Sequence, residues 1–357
     1  MTKRIEQLIR PEIRALTAYG VADPGDLIKL DAMENPYPWP EDIKRAWADK
    51  LVETDINRYP DPGARALKPG LRKAMAVPDD VEILLGNGSD EIIQMILLAM
   101  AQDGATVLSP APSFVMYDMT ARFVGMNYVS VPLKADDFAL DMPAMLAAIE
   151  QHNPAVIFLA YPNNPTGNLF ARDDVETIIN AAKGLVVIDE AYYAFASDSY
   201  MSRVTDYDNV VVMRTVSKLG LAGLRLGLLA GNPAWLQEFD KVRMPYNVNS
   251  LTQASVEFAL ANAQFLHEQT DKIRSERQRV YDALIRIPDM QAWPSEANFI
   301  LFRSRDVSGD MVFESLKQAG VLIKNLSHAS PLLKDCLRTT IGTPEENDVF
   351  LKAVAEF

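Results

Sequence analysis

Lys218 and Arg225 stand seven residues apart in the stretch TVSKLGLAGLRLG (215–227), among apolar residues that read as buried strand and turn. A buried ammonium is costly unless it is paired or chemically altered. Upstream, DEAYY (189–193) closes an apolar run with Asp189 and places Tyr192 three residues later. YPNNPTG (161–167) follows another run and carries Asn164, while GNGSDE (86–91) opens a helical pattern at Gly88, Ser89 and Asp90. Taken singly, each motif has an ordinary reading. Asn, Pro and Gly are common turn residues, Ser89 could be a helix cap, Asp189 could simply end a strand, and Lys218 could face solvent. Taken together, the motifs sit at the carboxyl ends of strands, where open α/β sheets bind ligands.

One chemistry uses the whole set. A lysine amine forms a Schiff base with the aldehyde of pyridoxal phosphate. The ring nitrogen of that cofactor needs a carboxylate to stay protonated. Its phosphate needs free N–H groups at a helix start, with hydroxyls and a cation. Lys218 supplies the amine and Asp189 the carboxylate, and Tyr192 and Asn164 can reach the ring hydroxyl. Gly88, Ser89 and Asp90 open the helix, and Thr215, Ser217 and Arg225 complete a phosphate cup. Lys218, Asp189 and Tyr192 are the expected catalytic residues.

The elements that must carry these residues follow a regular pattern. ATVLSP (105–110), AVIFLAYP (155–162), LVVIDEAY (185–192), NVVVMRT (209–215) and LRLGLLAG (224–231) read as buried strands. Amphipathic helices such as 89–102 and 171–184 lie between them. Strands that are apolar on both faces and alternate with helices predict an α/β fold, with a mainly parallel sheet between helices. Residues 1–40 read as an irregular N-terminal arm packing near the domain seam. Residues 41–246 read as the large domain, and 247–357 as a linking helix with a smaller α+β domain. In that last part the pattern predicts one long helix over 252–287, then strands at 298–303, 321–325 and 337–342.

Composition narrows the partners. The chain has 357 residues and a formal net charge of −13, which leaves no basic surplus for nucleic acid. One cysteine and three scattered histidines give no disulfide and no metal-ligand spacing, so no metal is expected. The apolar stretch MILLAMA (95–101) is too short to span a bilayer, and the N-terminus lacks the apolar block of a secretion signal. A cytoplasmic enzyme acting on small molecules, with no membrane partner, is the expectation.

The combination of Asn164 in NNPTG, Asp189 and Tyr192 in DEAYY, and Lys218 and Arg225 in SKLGLAGLRLG resembles the fold-type I pyridoxal-phosphate aminotransferases over nearly the whole chain. IKLDAMENPYPWP (28–40), NRYPDPGARALK (57–68), EANFILFR (296–303) and CLRTTIGT (336–343) narrow the resemblance to the histidinol-phosphate aminotransferases. That resemblance implies a homodimer in which Tyr59 reaches the partner's cofactor phosphate. It also implies that Arg338 holds the anionic group of the substrate, with Lys324 a second cation, Tyr19 covering the substrate ring and Asn164 nearby. The implied reaction converts L-histidinol phosphate and 2-oxoglutarate to imidazole-acetol phosphate and glutamate, in histidine biosynthesis. The chain departs from that pattern at two positions: Met33 stands where the family usually has Asn, and Lys324 where it often has Arg. A lysine supplies a point charge but not the bidentate fork of an arginine. Three alternatives use the same scaffold: an aromatic amino-acid aminotransferase, a decarboxylase of a phosphorylated amino acid, and a catalytically silent regulatory protein.

Overall fold

The computed structural model describes residues 2–18 and 20–356. A two-residue strand, β1 (Ile28–Lys29), precedes the main sheet. The main sheet comprises β2 (Glu82–Gly86), β3 (Thr106–Ala111), β4 (Asn127–Pro132), β5 (Val156–Ala160), β6 (Leu185–Asp189), β7 (Val210–Thr215) and β8 (Gly227–Gly231). Their order across the sheet is β2-β8-β7-β6-β5-β3-β4. Neighbours run parallel except at β8, which is antiparallel to both β2 and β7. Every residue of β5, β6 and β7 is buried, as expected of central strands covered by helices on both faces. The α/β class read from the sequence is therefore the observed one.

The topology makes the crevice. From β3 the chain runs out to the edge strand β4, then returns to β5 on the other side of β3. The connections leaving β3 and β5 thus diverge, and their carboxyl ends open a cleft at the switch point.

A second, antiparallel sheet contains β9 (Met290–Ala292), β10 (Phe299–Ser304), β12 (Lys324–Asn325) and β13 (Leu337–Thr340), in the order β12-β13-β10-β9. The short β11 (Val321–Leu322) leaves this sheet and pairs in parallel with β1, tying the N-terminal segment to the C-terminal part of the chain. The expected single strand over 321–325 is therefore two, paired to different partners.

Three further elements differ from the sequence reading. The first 40 residues are not wholly irregular: Thr2–Leu8 and Pro11–Arg14 are helical. The helix expected over 252–287 is two, Ser250–Ala261 and Gln264–Leu284. Asn262 caps the end of the first: its backbone N–H donates to the Phe258 and Ala259 carbonyls, and its side chain donates to Phe258 as well, at 2.9 Å. The chain then turns so that Phe265 and Leu266 enter the core. The edge strands β2 and β4 were not among the expected strands. In β4, Asn127, Ser130 and Pro132 face solvent, so the edge lacks the continuous apolar run of the centre. No helix among the described residues is long and apolar enough to cross a membrane.

Candidate active site

Three adjacent strands deliver the expected residues to one cleft. Asn164 follows β5, Asp189 is the last residue of β6, and Thr215 is the last of β7. Ser217 and Lys218 lie in the 3-10 turn Ser217–Leu219 that directly follows β7. The cleft encloses about 560 Å³, part of it open to solvent, and is lined by these residues together with Ser89, Asp90, Tyr192 and Arg225.

Lys218 Nζ donates to the Ala32 carbonyl at 3.3 Å and lies 5.7 Å from the centre of the Tyr192 ring. Burial, aided by the nearby positive charge of Arg338, lowers its pKa to about 8. A buried cation that has no carboxylate in contact loses its proton more readily than one in water. Asp189 is fully enclosed, and burial raises its carboxyl to about 6 against two opposing hydrogen bonds. The Tyr117 hydroxyl donates to Oδ2 at 2.6 Å and the Ala191 N–H to Oδ1 at 3.1 Å. Because successive strand residues face opposite ways, Glu190 turns from the cleft. There it pairs with the buried Arg214 at 2.7 Å, and Arg214 also donates to Ser199 Oγ and the Met75 carbonyl.

The residues expected to cup a phosphate combine backbone and a cation. The helix Ser89–Met100 starts at Gly88, whose φ of +86° suits only glycine, and no side chain caps its first amides. A Cβ on Gly88 would lie 2.7 Å from the Arg225 guanidinium, so the missing side chain is what admits Arg225. A Cβ on Gly227 would meet the Ser89 amide at 2.7 Å, which lets β8 begin against the same helix start. Arg225 reaches Ser217 Oγ at 3.3 Å and Asp90 at 3.5 Å, and Thr215 Oγ1 bonds Ser217 Oγ at 3.0 Å. Free amides, hydroxyls and a guanidinium therefore converge at a helix N-terminus.

Arg338 enters from the small sheet. Its Nη1 donates to Asn164 Oδ1, its Nη2 to the Asp31 carbonyl at 3.1 Å, and its guanidinium lies 5.2 Å from the Phe299 ring centre. Lys324 is its cross-strand partner in β12, half-buried and on the same face. Met33 lines the cleft with a φ of +53°, where Asn is far more at ease than Met. Tyr59 does not join the cleft of its own chain: it is 80% exposed and stacks on Tyr246, with ring centres 4.4 Å apart. Tyr19 lies outside the described residues.

The sequence reading passed over two aromatic residues, Phe114 and Tyr117. Phe114 lines the cleft, and Tyr117 is fully buried, stacked on Phe158 with ring centres 4.5 Å apart. Tyr117 did leave a signal. It sits on the apolar face of the helix Met116–Val124, away from Asp118 and Arg122, and a buried tyrosine hydroxyl needs a partner.

A buried carboxylate, an amine with a lowered pKa, and a helix start with hydroxyls and an arginine form the donor set that pyridoxal phosphate requires. The match to known proteins agrees. Residues 25–354 fit the family model for class I and II aminotransferases, and the chain belongs to that family, whose enzymes depend on pyridoxal phosphate. Within it, the chain is 55% identical over 355 residues to histidinol-phosphate aminotransferase 2 of Nitrosococcus oceani, covering 99% of this chain and 98% of the relative. It is 51% identical to the histidinol-phosphate aminotransferase of Chromobacterium violaceum, covering 100% and 99% of the two chains. Among solved structures, the histidinol-phosphate aminotransferase of Sinorhizobium meliloti in complex with pyridoxal-5'-phosphate superimposes with a TM-score of 0.84 at 25% identity. That superposition covers 98% of this chain and 97% of the other.

Proposed function

We propose that this aminotransferase moves the amino group of L-histidinol phosphate to 2-oxoglutarate, giving imidazole-acetol phosphate and glutamate in histidine biosynthesis. The observation that carries the substrate assignment is that Arg338, which donates to Asn164 of the cleft lining, has Lys324 as its direct cross-strand partner, two neighbouring cations for a doubly charged anion. The relatives named for that reaction support the same reading.

When bound, pyridoxal phosphate supplies an aldehyde that condenses with amines and a protonated ring that draws electrons from the reacting carbon. The protein's own residues hold, orient and move protons. Asp189 is proposed to hold the ring nitrogen, and Tyr192 and Asn164 the ring oxygen. The first amides of the Ser89 helix, with Gly88 and Asp90 shaping the turn, would hold the phosphate along with Thr215, Ser217 and Arg225. Lys218 Nζ acts as the proton carrier: a pKa of about 8 leaves a useful fraction neutral near pH 7, able to take a proton from the substrate carbon and return it. Arg338 and Lys324 orient the substrate anion, and Tyr19 is proposed to cover its ring. The active form is proposed to be a cytoplasmic homodimer in which Tyr59 of each chain reaches the other's cofactor phosphate. Its 80% exposure, and a cleft lining in its own chain that does not include it, support that role.

The test is a substrate titration of the cofactor absorbance, with and without 2-oxoglutarate. Histidinol phosphate should perturb the band at far lower concentration than phenylalanine, and turnover should require 2-oxoglutarate. Stronger response to phenylalanine replaces the substrate with an aromatic amino acid, and turnover without 2-oxoglutarate makes the enzyme a decarboxylase.

A further inference from the structure

Asp189 has each carboxylate oxygen committed to one donor: the Ala191 amide on Oδ1 and the Tyr117 hydroxyl on Oδ2. Tyr117 comes from a different element, the helix Met116–Val124, and has no solvent exposure. Its ring is fixed on two sides, stacked on Phe158 and edge-on to Phe114 at 5.7 Å between centres. A hydroxyl so fixed, 2.6 Å from a buried carboxylate, donates a short charge-assisted hydrogen bond.

We infer that Tyr117 is a positioning residue for the reaction, aiming the Asp189 carboxylate and keeping it ionised so that it can hold the protonated ring nitrogen of the cofactor. The inference rests on the Asp189 assignment proposed above. The physical argument is a competition. Burial favours the neutral acid, and the charges of Asp90 and Glu190 push the same way. Glu190 is turned from the cleft and neutralised by Arg214, so its part is small. Lys218 lines the same cleft but makes no contact with Asp189 that offsets burial. Hydrogen bonding favours the ionised form, the Tyr117 hydroxyl more strongly than the Ala191 amide. Both bonds also restrain the carboxylate, which lines the cleft.

The experiment compares the wild-type chain with Tyr117→Phe and Asp189→Asn. Tyr117→Phe keeps the ring that packs on Phe158 and Phe114 and deletes only the oxygen. Two readouts are taken, neither of them turnover. The first is the protonated-carboxyl infrared band of the cofactor-free protein, assigned to Asp189 by its loss in Asp189→Asn. In Tyr117→Phe its titration midpoint should move up by about one pH unit. The second is the dissociation constant of pyridoxal phosphate at about pH 6.5 and about pH 8.5. In Tyr117→Phe it should weaken about sixfold at the lower pH, where the ionised fraction falls about threefold, and only about twofold at the higher, where the carboxylate ionises regardless. An unmoved midpoint, or equal weakening at both pH values, overturns the inference, since a merely structural tyrosine gives a loss that does not depend on pH. If Asp189→Asn itself leaves cofactor affinity unchanged at both pH values, the Asp189 assignment falls instead.

Discussion

Lys324 and Arg338 are direct cross-strand partners on the antiparallel strands β12 and β13, and the guanidinium of Arg338 reaches Asn164 in the cleft. The small sheet therefore brings one cation, Arg338, to a site built by the large one, with a second, Lys324, opposite it on the neighbouring strand. Replacing Lys324 by Ala should raise the KM for histidinol phosphate by about tenfold, the worth of one charge-assisted hydrogen bond. Activity on an unphosphorylated amino donor should be unaffected, and Lys324→Arg should keep the affinity. Equal losses on both donors would place the phosphate elsewhere.

The Lys218 amine should make the cofactor-free protein less stable than it could be. Its folded pKa of about 8 lies below the unfolded value, so the folded state resists carrying that proton. Stability contributed by this group rises as pH rises from about 8 toward 10.5 and is lowest below 8. Lys218→Met should accordingly stabilise the cofactor-free protein near pH 7 by about 2 kcal/mol, discounted for the side chain's opening to the cleft. The gain should fade by about pH 10, as seen in urea unfolding at both pH values. The same variant should lose the covalent cofactor absorbance and at least about 10³-fold in turnover.

Arg338 lowers the Lys218 pKa through its charge. Arg338→Met should therefore move the amine's titration, followed by the pH dependence of its modification by a small aldehyde, toward higher pH. A titration at the wild-type position would mean that burial alone sets the amine.

Glu190 and Arg214 form an enclosed ion pair whose side chains are 0% and 5% exposed. Glu190→Ala leaves an uncompensated buried guanidinium and should cost about 3 kcal/mol, lowering Tm by several degrees. Asp189→Asn, one residue away, removes a carboxylate that burial already disfavours, and should leave the cofactor-free protein at least as stable near pH 7. The two neighbours should thus separate a stability role from a site role.

Tyr59 can be tested by complementation. A mixture of inactive Lys218→Ala chains and weakened Tyr59→Phe chains forms hybrid dimers, in which one cleft has both its own Lys218 and an intact Tyr59 from the partner. Recovered cofactor affinity in that cleft is the expected result. No recovery, with dimers present, would confine Tyr59 to its stack on Tyr246.

The central strands and the residues at their carboxyl ends were legible because both are local. Val156–Ala160, Leu185–Asp189 and Val210–Thr215 are continuous apolar runs, and each hands a polar residue to the cleft at or just beyond its last position. The Gly88 turn was legible because a helix start after glycine is a local conformational requirement. The break at Asn262 was not legible, since the apolar pattern continues through it and the deciding hydrogen bond to Phe258 closes only once the turn forms.

The sequence alone determined the class of fold and the cofactor chemistry, and it supplied the side chains proposed to serve that chemistry, because those depend on residue type and on short spacings. Tertiary structure decided which side chains meet. Arg338 reaches Asn164 across 174 residues, Lys218 finds the Ala32 carbonyl across 186, and Tyr117 meets Asp189 across 72. The environment that lowers the Lys218 amine and raises the Asp189 carboxyl likewise exists only after the sheet and helices exclude water. Burial and charge proximity belong to the packed molecule, and no local pattern encodes them.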